Sequence, residues 1–557
     1  MITKLNSLFA VVIIHYFNYC FSQENQDTLI IHPINWNTPS PVGWNAQYSV
    51  DVNFPKSENS WKKIIMVHTL KCDTRTNADS YPCGEWDYIW NTLISSTDDS
   101  TSEIFSIGSF VTPYGKQLDL GGEDGWVWSY DITDYAPILK GTKKVTAGNN
   151  QELLDLKFFF IKGIPARNIL KVENIYPFGE YKYFEVSDDL KLKQKAVNLL
   201  STAEGFKIKT IISGHGHEGP RNCCEWDSKT HTYFLNNWEL FRWNVWKDCG
   251  NNPLYPQGGT WPFDRAGWCP GTKVDEYQFE LTPFVYPGES ILIDYGIEPY
   301  SDNGEKNGFF FMTHQLFSYG GPNYETEVEL LEIITPSSEQ VYRRLNPDLS
   351  RIKIIIKNNG KFEIKSLKIE YGLVDGVKSV YNWVGELTFL KEKIIDLPKP
   401  DWSGLRINRD FFVQIKNPNN NVDQDPSNNK MVVSIRIPKI FPKKFKMKLQ
   451  TNNLGRSREN SFTITDDKGY VMYSGEKFSD STKYEYSIFL EDGDYQFSFI
   501  DSKEDGISKH WWNRSSPEKI GVDGAIMFTD IKDNILHKFD PDFGQEIRFN
   551  FRVGALP

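Results

Sequence analysis

Along this chain apolar residues alternate with polar ones far more often than they recur at helical spacing, and short apolar runs end at Gly, Pro, Asn or Asp. A period of two puts one face of a strand on a core and the other in solvent, whereas an amphipathic helix needs apolar positions three and four apart. Strands are therefore predicted at 62–70, 103–111, 154–161, 206–213, 277–281, 327–334 and 351–356. One helical turn is predicted after Asp131-Ile132-Thr133-Asp134, with Asp134 capping 135–139 ahead of Gly141. The pattern is all-β, with antiparallel sandwiches or jelly rolls laid end to end.

At 557 residues the chain is too long for one core. Turn-rich breaks at Pro177-Phe178-Gly179, Thr335-Pro336-Ser337-Ser338 and Pro438 to Lys444 set expected limits near 178, 336 and 440. The expected parts are 1–22, 23–178, 179–336, an immunoglobulin-like sandwich at 337–440 and a small C-terminal β module at 441–557. The first part has a secretory layout: Lys4, an apolar stretch from Leu8 to Ile14, then Cys20-Phe21-Ser22 with cleavage after Ser22. A lipid anchor on Cys20 is the competing reading. The expectation is a secreted or periplasmic protein with no membrane span. Six of the seven Cys follow that leader, and proximity favours Cys72–Cys83 and Cys249–Cys269 bridges. Cys223 and Cys224 are left as a vicinal pair or as thiols.

A net charge of −11 argues against nucleic acid, whose phosphates need a basic field. The 17 Trp in an aromatic fraction of 15% suit either carbohydrate surfaces or sandwich cores. Against that background one string occurs twice, as Cys83-Gly84-Glu85-Trp86-Asp87 and Cys223-Cys224-Glu225-Trp226-Asp227. Each copy gathers two carboxylates and an indole, where like charges repel and the ring is costly to expose. Paired acids near rings fit general acid/base chemistry on a sugar, one acid protonated and one ionised while a ring stacks on the pyranose.

The phrases around these strings resemble the peptide:N-glycosidase F family of glycosylasparagine amidases. They are Phe110-Val111-Thr112-Pro113-Tyr114, Asp131-Ile132-Thr133-Asp134-Tyr135, Ile212-Ser213-Gly214-His215-Gly216-His217, Thr230-His231-Thr232 and Asp264-Arg265-Ala266-Gly267-Trp268-Cys269-Pro270-Gly271. In order they span roughly residues 28–335. The resemblance implies two adjacent jelly rolls with the site in the groove between them. It also implies metal-independent hydrolysis of the bond between Asn and the first N-acetylglucosamine, leaving Asp. Carried over residue by residue, it makes Asp87 and Glu225 catalytic and Arg265 a substrate-side cation. Glu85, Trp86, Trp226, Trp268 and His215 are further candidate substrate contacts, with core packing the alternative for the three Trp rings, and His215 departs from the family, which has Trp there. N-glycosylated peptides or glycoproteins are the implied substrates of a monomer without cofactor. The family's third acid falls on Ile161, or on Lys162 with a one-residue gap, and Asp227 replaces a family Cys.

Two other functions stay open on the residues. His215, His217, Glu218 and His231 lie close enough in sequence for a metallohydrolase site. The absent third acid suits a glycoprotein-binding module without catalysis. The strings Glu491-Asp492-Gly493-Asp494 and Asp501 to Asp505-Gly506 read as hairpin turns, with calcium the alternative.

Overall fold

The structure, a computed structural model, describes residues 28–43, 46–56, 60–73, 83–84, 86–96, 103–118, 120, 124–148, 152–304, 307–405 and 408–555. The expected leader with Cys20, and Glu85, lie outside the described residues.

The protein is all-β, built of jelly-roll and sandwich sheets that are antiparallel except where Lys439–Phe441 pairs parallel with Glu546–Val553. The strand Trp61–Cys72 shows how the sequence dictates this: Ile64, Met66, His68 and Leu70 are buried on one face and the residues between them are half-exposed. It sits in a sheet ordered Thr28–Ile34, Glu152–Lys162, Trp61–Cys72, Trp126–Asp131. A second sheet faces it, ordered Thr272–Lys273, Phe105–Val111, Ile89–Ser96, Gly141–Ala147, Tyr48–Phe54. Their inner faces form one core around Met66, Trp90, Phe110 and Phe158.

The next core, around Phe206, Ile212, Tyr233 and Phe310, lies between two more sheets. One is Glu276–Glu280, Gly205–His215, Phe309–Pro322, Arg167–Lys182; the other is Lys195–Asn198, Ser290–Ile297, Lys229–Leu235, Trp238–Val245. A third core packs around Ile354, Ile369 and Phe411, and a fourth around Met447, Phe497 and Phe528.

The limit expected at 178 falls inside the strand Arg167–Lys182, which serves both of the first two cores through Val172 on one side and Ile175 and Tyr176 on the other. Pro177 and Phe178 do not break it. They form a bulge opposite the Phe309–Pro322 strand, between the pairs Gly179↔Met312 and Tyr176↔His314. Likewise Val328–Thr335, which precedes the limit expected at 336, packs its Val328, Leu330 and Ile333 into the third core.

The helical turn exists as a 3-10 turn at Thr133–Tyr135, but Asp134 does not cap it. Asp131 Oδ1 accepts from the Thr133 N–H at 3.0 Å, while Asp134 reaches Lys207 Nζ at 2.6 Å on the neighbouring sheet. An ion pair across the interface satisfies that carboxylate better than a local backbone donor. Burial raises its pKa but Lys207 and Lys209 more than reverse this, holding it well below the usual range.

Cys72–Cys83 and Cys249–Cys269 are bridged, whereas Cys223 and Cys224 are buried thiols. No helix among the described residues is long and apolar enough to cross a membrane.

Candidate active site

The first two cores meet along a small apolar seam of Val111, Ile211, Trp268 and Val274, with Ile89 packed against it. Phe105–Val111 is buried along its whole length because it has a core on one side and this seam on the other. Just past Arg265 the chain crosses over, and Thr272–Lys273 pairs with Val111 and Phe110 of the first domain.

Asp87 follows strand-free chain held by Thr112, whose Oγ1 donates to the Trp86 carbonyl at 2.9 Å and accepts from the Tyr88 N–H at 2.8 Å. Glu225 sits where the chain after Cys223–Cys224 folds back on Gly205–His215. That approach requires Gly214, since a Cβ there would lie 1.9 Å from the Cys224 carbonyl oxygen. The Glu225 carbonyl accepts from the Ala266 N–H at 3.0 Å, which ties the second string to the Arg265 phrase.

Arg265 lies beneath both acids and is fully buried. Its Nε donates to Glu225 Oε1 at 3.2 Å, and its Nη2 is 3.9 Å from Asp87 Oδ2. Nη1 donates to the Phe263 carbonyl at 2.6 Å, and Nη2 to the Thr260 carbonyl and Oγ1 at 3.0 and 3.1 Å. The guanidinium also lies over the Trp226 ring at 4.2 Å and the Trp268 ring at 4.9 Å. With its donors engaged and no exposed surface, Arg265 orients the acids rather than standing as a free cation at the substrate side.

The electrostatics separate the two acids. Burial raises the Asp87 carboxyl, opposed by Arg265 and by the Tyr114 hydroxyl, which donates to Oδ2 at 2.9 Å. Burial and then the neighbouring Asp87 charge push Glu225 up to about 7, with Arg265 opposing. Two carboxylates over one guanidinium thus keep a proton at neutral pH, and Glu225 is the holder the surroundings favour.

The remaining expected residues distribute around this cluster. Trp86 is half-exposed, and Trp226 is half-buried beside the groove floor. His215 lines a cavity of about 480 Å3 with Asp87, Tyr88, Phe178, Phe309 and Phe311. Burial, then Arg265, push its pKa down to about 3, so it is neutral. Trp268 is not a sugar platform: it is 1% exposed, donates to the Gly214 carbonyl and packs against His215 and Arg265. Asp227 turns away from the groove into ion pairs with Arg221 and Lys229.

The metallohydrolase quartet does not converge. His215 bonds to Ser213, Glu218 accepts from Tyr300 and the Gly308 N–H, and His231 bonds to Tyr295. Among the described residues the ligand-capable group that does converge is Glu459, Asp501 and Asp505 in the C-terminal domain. There Asp501 closes a turn on the Lys503 and Glu504 N–H groups, and Asp505 pairs with Arg456 and His510.

Two contributors escaped the sequence reading. Thr260 cradles Arg265 and meets the Tyr114 hydroxyl at 3.1 Å; its only sequence signal is the Gly258-Gly259-Thr260-Trp261-Pro262 turn. Tyr114 ends the Phe110–Tyr114 phrase, but nothing in the sequence aims its hydroxyl at Asp87. His217, read as a metal ligand, instead places Nε2 3.8 Å from Glu225 Oε2.

The family model described as Peptide-N-glycosidase F, C terminal, matches residues 182–317, which include Glu225 and Arg265. The peptide-N(4)-(N-acetyl-beta-D-glucosaminyl)asparagine amidase F of Elizabethkingia miricola is 28% identical over 274 residues, covering 44% of this chain and 73% of that relative. Among solved structures, PNGase F, a glycosylasparaginase from Flavobacterium meningosepticum, is 25% identical, with 53% of this chain and 96% of that chain covered and a TM-score of 0.44. PNGF-II is 16% identical, with 52% and 65% covered and a TM-score of 0.40.

Proposed function

We infer from this chain's membership of the peptide-N-glycosidase F family that it is an amidase. It hydrolyses the bond between an Asn side chain and the first N-acetylglucosamine of an N-glycan, releasing the glycan and leaving Asp. The observation that carries this is the convergence of Asp87, from one domain, and Glu225, from the next, on one buried Arg265.

Amide hydrolysis needs a water made nucleophilic, a proton for the departing nitrogen and acids held in different protonation states. Asp87, which receives the Tyr114 hydrogen bond, is the carboxylate that takes a proton from water as its oxygen attacks the amide carbon. Glu225, protonated near neutrality, supplies the proton as the carbon–nitrogen bond breaks. Arg265 positions both. Trp226 and the exposed Trp86 offer rings to the sugar, and His215 lines the pocket at Asp87. Action outside the cytoplasm on glycosylated peptides or glycoproteins, as a monomer, belongs to the same proposal. So do the expected parts, except that the first limit runs through a strand and the third core starts before 336.

Incubation with an N-glycopeptide in 18O-labelled water tests this. The expected result is Asp at the glycan site carrying one heavy oxygen, with the rate lowered at least about 100-fold in Asp87→Asn. One observation favours a binding-only reading. Ile161, where the family has its third acid, is a buried apolar residue paired with Thr28 and Lys63, and Lys162 ends that strand exposed. Tight glycopeptide binding without conversion, equal in wild type and Asp87→Asn, would establish that reading instead.

A further inference from the structure

A groove of about 570 Å3 leads away from the acid pair, within the range of roughly 300–1,000 Å3 typical of small-ligand sites. Its near end is His217, beside Glu225, and Trp226. Its far end is Lys503 and Glu504, which belong to the fourth domain and not to the two that supply the acids. Phe263 lies between, half-buried, and meets Trp226 edge to face at 6.5 Å. On its other side Phe263 meets Trp512 of the fourth domain edge to face at 6.3 Å, and Trp512 stacks on His510 at 4.4 Å. A row of half-buried rings therefore runs from the acid pair into the C-terminal domain.

That domain is fixed in place. Asp542 is buried and accepts from the Gly258 N–H and Trp261 Nε1, both at 2.8 Å. Arg344 donates to the Asn252 carbonyl at 2.7 Å and to the Phe543 carbonyl at 2.9 Å, bridging the two domains. Lys116 of the first domain lies over the Trp511 ring at 3.3 Å. The loop that carries Thr260 and Phe263 is thus clamped between the C-terminal domain and the acid pair.

We propose that the C-terminal domain builds an additional sugar subsite in this groove, so that it reads the outer part of the glycan while the acid pair acts on the innermost residue. The chemistry fits sugar rather than peptide. The Trp226, Trp246 and Phe263 rings that line the groove suit the apolar side of a pyranose, Trp512 supports Phe263 on its other side, and Lys503, Glu504 and Asn222 along the rim suit hydroxyls. The proposal rests on the amidase reading for the identity of the glycan.

The test compares two substrates that share one peptide, a long branched N-glycan and a single N-acetylglucosamine. In Trp512→Ala the ratio of kcat/KM for the long over the short glycan is expected to fall about fivefold to tenfold, mostly through KM. Lys503→Ala with Glu504→Ala, on the rim, is expected to move that ratio the same way without disturbing a core. Equal losses on both substrates, or an unchanged ratio, would overturn the subsite. If the unaltered protein cleaves neither substrate, the amidase reading alone is lost. The subsite then depends on calorimetric binding of the free branched glycan, which Trp512→Ala must weaken.

Discussion

Asp87 and Glu225 are nearly the same chemical group, and their surroundings set their titration apart. Tyr114 favours the charged form of Asp87, so Tyr114→Phe should raise its pKa and move the acid limb of the kcat/KM profile up by about one pH unit, with little change in the alkaline limb. For Glu225 the alkaline limb should fall near pH 7, where the proton is lost. The same shift makes a stability prediction. From its usual 4.5 to about 7 the folded form holds a proton that the unfolded chain has released. This group's contribution to stability is therefore full below pH 4.5 and declines, by on the order of 3 kcal/mol, as pH rises to 7. Denaturant melts across that window should show a shallower decline in Glu225→Gln. Arg265 illustrates how sequence proximity misleads: its neighbour Asp264 accepts from the Cys249 N–H, and the guanidinium goes instead to acids far along the chain.

At the level of elements, the strands at 62–70 and 206–213 were legible because apolar residues alternate with polar ones or run together in short stretches, although the second strand proves buried on both faces, Lys209 and Thr210 included. The strand Arg167–Lys182 was not, because Pro177 and Gly179 carry turn signals that tertiary pairing overrides by bulging. Glycine 214 matters more than its strand position indicates. Gly214→Ala should force Glu225 off Arg265 and cost about 3 kcal/mol, read as a lower denaturant midpoint together with loss of hydrolysis. Trp268→Ala, which empties the seam between the two domains, should cost about 3–5 kcal/mol by the same measurement.

For the whole molecule, the C-terminal domain is the part the sequence explained least. Read as an accessory module, it holds the loop that cradles Arg265, so its contacts should matter to catalysis. Asp542→Ala leaves two buried donors without partners and is expected to lower both stability and kcat/KM, the latter about tenfold. An unchanged kcat/KM in a folded variant would separate the domain from the site. The sequence by itself determined the all-β class, the two short disulfides and the twice-occurring acidic string, because alternation, Cys spacing and a repeated phrase are local properties of a chain, while the family resemblance singled out Asp87, Glu225 and Arg265 as the candidates. Only the tertiary structure decided that Arg265 is sealed under the acids, that Trp268 is a packing residue and that a fourth domain walls the groove. Those facts depend on contacts between residues tens to hundreds of positions apart, and burial and charge there are set by what arrives from elsewhere.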